Sequence, residues 1–189
     1  MTYNKENYRQ YFKDRVDELT KINQAIWGFV GAAALIEHGT QLANKGKSDP
    51  ESYKEFVKTF GSKYTDFTYN TDNKQDLNVQ IYHVLRCGLL HSFCLQADKA
   101  GEKWGGRTDS IIITSLADAK RRGEALKAEH NLSHIMDNGR DACLLILEPF
   151  LVDIGNAINQ LFDNQDLDES IKKSWKEHPP FSTFMIGIE

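Results

Sequence analysis

Apolar residues recur at three- and four-residue intervals along much of the chain, and charged residues occupy many positions between them. This spacing places the apolar side chains on one face of a helix, so it predicts amphipathic helices. The second predicted helix is apolar on all sides and is therefore expected to be buried. The first four predicted helices cover about Asn4–Asn23, Gln24–Leu42, Glu51–Phe60 and Gln75–Leu95. Asp49 and Pro50 predict the start of the third of these helices, since aspartate caps helices and proline suits a first turn.

The segment Asp141–Phe162 has the same helical spacing, but Pro149 lies inside it. Because proline interrupts the interior of a helix, the helix either starts near Glu148 or is kinked at Pro149. Asp166 or Asp168 is then expected to cap a last short helix.

One short run, Ile111–Thr114, is β-branched and strand-like, and Leu132–Met136 predicts a weaker strand. Between them, Ala117–His130 is charged and predicts either a short helix or an ordered loop. We therefore expect a single all-α domain over residues 1–189. It would be a helical bundle of four or more helices, with a small β hairpin or insertion at about residues 97–139.

The amino-acid composition and charge argue against some classes of function. With 40% hydrophobic and 26% charged residues the chain has an ordinary globular composition, and its net charge of −4 argues against broad, non-specific nucleic-acid binding. Three cysteines without framework spacing favour a reducing compartment. The longest apolar run, Ala25–Ile36, is shorter than the ~20 residues of a membrane span. We therefore expect a cytoplasmic protein that does not enter a membrane.

The central predicted helix carries polar and sulfur groups where a core helix would carry leucine. At about 100° per residue, its positions divide into two faces. The apolar face consists of Tyr82, Leu85, Leu89 and Phe93. The other face, an arc of about 140°, contains Gln80, His83, Arg86, Cys87 and His91. Such a face requires a cleft, a partner subunit or a ligand, because burying unpaired polar groups is costly.

The element Arg86-Cys-Gly-Leu-Leu-His91 is an R-x4-H sequence in a long apolar helix of a helical chain. It resembles the signature of the HEPN (higher eukaryotes and prokaryotes nucleotide-binding) superfamily. The resemblance implies a helical bundle that dimerises. It also implies a shared cleft in which Arg86 and His91 of both subunits cut RNA without a metal. Cys87 departs from the pattern, since active members commonly carry a polar residue after the arginine.

The residue chemistry agrees with RNA cleavage by its own 2′-hydroxyl. His91 can act as base or acid because imidazole titrates near neutral pH. Arg86 can hold phosphate oxygens through paired hydrogen bonds, and Gln80, His83 and Cys87 are expected to line the cleft. A basic cluster is a weaker nucleic-acid candidate or a solvated face. It consists of Lys120, Arg121, Arg122 and Lys127.

Several alternatives remain open from the sequence. The polar face could instead bury against a partner in a non-enzymatic helical interaction module. The four side chains His83, Cys87, His91 and Cys94 invite a zinc interpretation. One straight helix cannot place all four around one ion, but a pair of them with outside ligands such as His38 or His134 could hold one. We expect no metal and no cofactor, since the chain has no glycine-rich phosphate loop, G-x-S-x-G or H-E-x-x-H motif.

A second helix also carries a candidate acid–base pair. Glu37 and His38 are adjacent in the second predicted helix. They could pair with groups on the central helix, or they could lie in solvent near its end. The second arrangement is the one that the sequence favours.

Overall fold

The fold was obtained as a computed structural model, which describes residues 2–22, 24–66, 76–90, 111–121, 131–137 and 140–177. Helices dominate these residues, and a small sheet is inserted among them, which confirms the predicted fold class. The helices that precede the sheet are α1 (Lys5–Leu19), α2 (Ala25–Ala43), α3 (Pro50–Lys58), α4 (Lys63–Asp66) and α5 (Leu77–Ile81). The later helices are α6 (Leu116–Arg121), α7 (Leu147–Asp163) and α8 (Asp168–Glu177), with a 3₁₀ turn at Gln165–Leu167 before α8.

Capping side chains set the starts of α1 and α3. The Asn4 side chain accepts hydrogen bonds from the backbone N–H groups of Glu6 and Asn7. Asp49 accepts from the Ser52 N–H, and Pro50 occupies the first turn of α3. Each cap satisfies donors that a helix start leaves without an intrahelical partner. The start predicted for α3 is thus confirmed, and that of α1 falls within one residue of its prediction.

The central helix changes its winding after its first turn. Leu77–Ile81 is α-helical, and Tyr82–Leu90 continues as a π-helix, which we call the π segment. A π-helix bonds residue i to i+5 and is rare, usually limited to one turn and frequent at functional sites. The uniform 3.6-residue turn assumed from the sequence is therefore wrong for this segment. Gln75 and residues 91–95, the ends of the predicted helix, lie outside the described residues.

The sheet has three strands: β1 (Ile111–Thr114), β2 (Ser133–Asp137) and β3 (Arg140–Ile146). Its order is β1-β3-β2, with β1 parallel and β2 antiparallel to β3. The two strands predicted from the sequence are confirmed in position, but they do not pair with each other. Both pair with β3, so the β element extends past the predicted end at residue 139.

The helical assignment from Asp141 onward is wrong for its first residues, which form β3. Helix α7 begins at Leu147, next to the alternative start at Glu148, and Pro149 falls in its first turn, where proline is tolerated. Leu144 and Leu145 are fully buried, because β3 is the middle strand of the sheet. A strand that is buried on both faces loses the alternation of polar and apolar residues that would reveal it.

One large hydrophobic core joins the helices, and a smaller cluster lies at the sheet around Ile135, Leu144 and Ile146. Helix α2 contributes Phe29 and Ile36 to the large core, although its outer side leaves Trp27 about half exposed. No helix of the described ranges is long and apolar enough to span a membrane.

Replacing each of two helical glycines with alanine is expected to change the stability of the fold in opposite directions. A Cβ at Gly39 would lie 2.5 Å from the Cε1 and Cζ atoms of the buried Phe56 ring. Gly39→Ala is therefore expected to lower the free energy of unfolding by about 1–3 kcal/mol. A Cβ at Gly155 would lie 3.7 Å from Val16 Cγ2, an ordinary contact. Gly155→Ala should thus raise stability by up to about 1 kcal/mol through helix propensity. Urea unfolding compares the two, and equal stabilities would contradict this packing.

Candidate functional site

Arg86 lies on the π segment and is held at the point where α2, the loop before α3 and the π segment meet. Its Nε donates to Glu37 Oε2 at 2.6 Å, and its Nη2 donates to Glu37 Oε1 at 3.2 Å. Nη2 also donates to the backbone oxygen of Ser48 at 3.0 Å, and Nη1 donates to the Tyr82 hydroxyl at 3.3 Å. The guanidinium is therefore fixed by a forked carboxylate contact and two further acceptors, a geometry that arginine suits and lysine does not.

Aromatic rings form the walls of this site. The Arg86 Cζ atom lies 5.5 Å from the Tyr82 ring centroid and 5.9 Å from that of Tyr53. The two rings meet edge to face at 5.5 Å. Arg86 keeps 15% of its side chain exposed and Glu37 keeps 23%, so the ion pair lies near the surface rather than at the centre of the core. We call Arg86, Glu37, Ser48, Tyr53 and Tyr82 the Arg86 site.

The charges of the Arg86 site act on its titratable groups. The hydrogen bonds that Arg86 donates to Glu37, more than the charge of Glu37, raise the pKa of Arg86, so the guanidinium stays cationic. Burial raises the pKa of Tyr53 well above its ordinary value, the charge of Glu37 adds to that shift, and Arg86 opposes it. Burial and then a hydrogen bond with Cys87 raise the pKa of Tyr82. Both phenols are therefore neutral hydroxyl groups near pH 7.

The remaining polar residues of the central helix are less accessible than the sequence interpretation assumed. Gln80 is 3% exposed and His83 is 9% exposed, whereas Cys87 is half-buried against the core. Burial, and to a lesser degree the charge of Lys54, lowers the pKa of His83, which favours a neutral imidazole. Arg86 and Cys87 are thus the members of the predicted polar face that stay partly exposed within the described helix.

Other predicted site residues fall partly beyond the described ranges. His91, Arg122 and Lys127 lie outside the described residues. Lys120 and Arg121 are exposed at the end of α6, where Arg121 forms an ion pair with Asp118. The described part of the basic cluster is thus a solvent-facing helix end.

Glu37 forms a pair with the central helix, which the sequence left as the less favoured alternative to a position in solvent. It contacts Arg86 across 49 positions of sequence. Its neighbour His38 points elsewhere: its Nε2 lies 2.7 Å from the Tyr8 hydroxyl, which is also 3.2 Å from Ser174 Oγ. The sequence held one signal for Glu37, which is the one carboxylate in the largely apolar helix α2.

The cysteine and histidine set does not come together as a metal site within the described ranges, where no group of three or more His, Cys, Asp or Glu side chains could hold an ion. Cys94 lies outside those ranges, and His134 lies in β2 opposite Cys143. Of the cysteines that are described, Cys87 and Cys143, neither forms a disulfide bond.

Cys143 is expected to resist alkylation in the folded protein. It is fully buried in β3, and burial raises the pKa of its thiol to about 12, so the thiolate that reacts is scarce at neutral pH. Mass spectrometry after iodoacetamide treatment should find Cys143 modified only under denaturing conditions, with the half-buried Cys87 modified first. Modification of Cys143 at the rate of Cys87 in native buffer would contradict its burial.

The Arg86 site already holds one anion, the Glu37 carboxylate, beside two buried phenols. It thus combines a forked cation with acceptors and donors at a partly open surface. No protein-family model, curated protein or solved structure matches the chain.

Proposed function

We propose that the chain is an HEPN-like, metal-independent endoribonuclease, or an RNA-binding relative of one. The observation that carries this proposal is the position of Arg86. It lies on a π-helical segment, is partly exposed, and is oriented by Glu37 through two hydrogen bonds. A rare backbone winding that presents an oriented cation is typical of a functional site.

In the proposed reaction, the 2′-hydroxyl of RNA attacks the adjacent phosphorus and the 5′-oxygen leaves. Arg86 neutralises the charge that develops on the phosphate oxygens. His91, five residues further along the chain, moves the proton as base or acid. A homodimer with two-fold symmetry would supply a second Arg86 and His91, giving an acid and a base from one motif. The product carries a 2′,3′-cyclic phosphate.

The same proposal covers the cellular location and the biological role of the protein. A cytoplasmic location is expected from the three cysteines without framework spacing, and a role in defence or in a toxin–antitoxin pair is what the resemblance of the motif to the HEPN superfamily implies. Lys120 and Arg121, exposed at the end of α6, would contact the RNA backbone outside the cleft.

Incubation of the purified protein with single-stranded RNA in EDTA tests the activity. We expect cleavage that survives chelation and fragments that end in a 2′,3′-cyclic phosphate. Sedimentation velocity under the same conditions should give a dimer. Fragments with a 3′-hydroxyl end, or no cleavage of any RNA, would contradict the ribonuclease proposal.

A non-enzymatic helical interaction module is the second candidate. The hydrogen bonds of Arg86 favour this candidate, because the guanidinium already donates four of them to groups within the chain. The apolar side chains Trp27 and Val152, both about half exposed, would then belong to a contact surface. Loss of partner binding on Trp27→Ala, without metal-free RNA cleavage by the unmodified protein, would favour this candidate.

A further inference from the structure

The Arg86 site contains more hydrogen-bond donors than its acceptors use. Tyr53 is fully buried, and its hydroxyl has no hydrogen-bond partner in the described part of the chain. The Ser48 hydroxyl is buried and likewise has no partner there, although the Ser48 carbonyl holds Arg86. Buried hydroxyls that stay unpaired cost stability, so two of them on residues that contact the Arg86 guanidinium call for an explanation.

The Arg86 guanidinium adds to this excess of hydrogen-bond donors. Arginine has five N–H groups, and the described residues accept hydrogen bonds from four of them. Among the described residues, the carboxylate bonded to it is that of Glu37, which offers two oxygens. An oxyanion with three or four oxygens would match the donor set better than a carboxylate does.

Glu37 lies at the solvent side of the ion pair. Its side chain is 23% exposed, the most open part of the ion pair, so a path to solvent exists beside Arg86. Carboxylate and phosphate present similar paired oxygens to the arginine fork, and each can replace the other there. The carboxylate of Glu37 therefore occupies the place that a phosphate group would take.

We propose that the Arg86 site is an exchangeable oxyanion site, in which a phosphate group displaces the Glu37 carboxylate from Arg86 and accepts hydrogen bonds from the hydroxyls of Tyr53 and Ser48. The inference rests on the proposed function, since it describes how the same site passes from its resting state to one that holds RNA phosphate. Glu37 acts as an internal competitor that keeps the arginine oriented until the phosphate arrives.

Calorimetric titration with inorganic phosphate tests this exchange. Glu37→Gln removes the competing charge but keeps the shape of the side chain, so it should bind phosphate roughly tenfold more tightly than the unmodified protein, or better. Glu18→Gln is the matched control, because Glu18 also pairs with an arginine, Arg15, on an exposed part of α1. It should bind phosphate like the unmodified protein. Equal or weaker phosphate binding by Glu37→Gln would overturn the proposal.

Tyr53→Phe gives a second test with the same ring and no hydroxyl. In the Glu37→Gln background it should weaken phosphate binding about two- to tenfold, the effect of one lost hydrogen bond. An unchanged affinity would remove Tyr53 from the site and overturn the donor argument. In the unmodified protein, the Arg86 Nε–H signal in nitrogen-15 NMR should shift during phosphate titration, and a signal that stays fixed would also overturn the exchange.

A second probe distinguishes RNA phosphodiesters from free or terminal phosphate, and it distinguishes phosphate binding from RNA cleavage. A 2′-O-methyl oligoribonucleotide without terminal phosphates offers phosphodiesters but cannot be cut by its own 2′-hydroxyl. Tighter binding of this probe by Glu37→Gln supports exchange with RNA phosphodiesters. A gain with inorganic phosphate alone supports exchange with a terminal or free phosphate. If phosphate binding behaves as expected while RNA stays uncut, the exchange stands and the ribonuclease proposal fails.

Discussion

Replacing Arg86 with alanine is expected to lower the free energy of unfolding by about 2–4 kcal/mol. Removing one member of a buried ion pair leaves the other as an uncompensated charge, which costs about 3–5 kcal/mol when the pair is fully buried. The Arg86–Glu37 pair keeps 15% and 23% of its side chains exposed, so water recovers part of that cost. Chemical denaturation with urea measures the change.

A double-mutant cycle separates the ion pair from the other contacts of Arg86. If the stranded Glu37 carboxylate causes the loss, Glu37→Ala in the Arg86→Ala background should recover stability. Arg15→Ala, which breaks the exposed pair with Glu18, should stay within about 1 kcal/mol of the unmodified protein. A double variant less stable than Arg86→Ala alone would assign the loss to the tyrosine and Ser48 contacts instead.

The largest effect on activity is expected from His91→Ala. Loss of a positioned general acid or base lowers a rate by about 10²–10⁴-fold, and the proposed dimer would lose both its acid and its base at once. The pH–rate profile of the unmodified protein should be bell-shaped, since one imidazole must be neutral while the other is protonated. A single-turnover assay on a fluorescent RNA measures both. A His91→Ala rate within twofold of the unmodified rate would remove His91 from the mechanism.

The helical architecture could be predicted because its signals are local. The caps at Asn4 and Asp49 lie within three residues of the groups that they satisfy, and the apolar stripes of α1 and α3 repeat within one helix. These interactions need no knowledge of distant parts of the chain. Predictions of this kind located the early helices to within a few residues.

The winding of the central helix could not be predicted in the same way. The nine residues of the π segment are too few for the pattern of apolar residues to distinguish a period of 3.6 residues from the longer period of i→i+5 bonding. At 100° per residue, Gln80 and His83 share one polar face with Arg86. In the folded chain Gln80 and His83 are buried, whereas Arg86 stays partly exposed.

Contacts between residues that are far apart in the sequence are the second feature that could not be predicted. The sequence singled out Arg86 by its motif, but the Glu37 contact joins residues of two different helices, and no spacing rule links them. Strand β3 was hidden for a related reason. Its pairing with β1 and β2 buries Leu144 and Leu145 fully, and the three-residue spacing from Leu144 to Leu147 imitates a helical stripe.

Arg86 is proposed to bind phosphate and not only to form half of a structural ion pair. Arg86→Lys tests it most directly, because lysine keeps the charge that Glu37 needs but lacks the planar fork that holds phosphate oxygens. The measurement is the metal-free RNA cleavage rate of this variant beside its melting temperature. We predict that the rate falls by about tenfold or more while the melting temperature stays within a few degrees. Cleavage at the unmodified rate by Arg86→Lys would contradict the account.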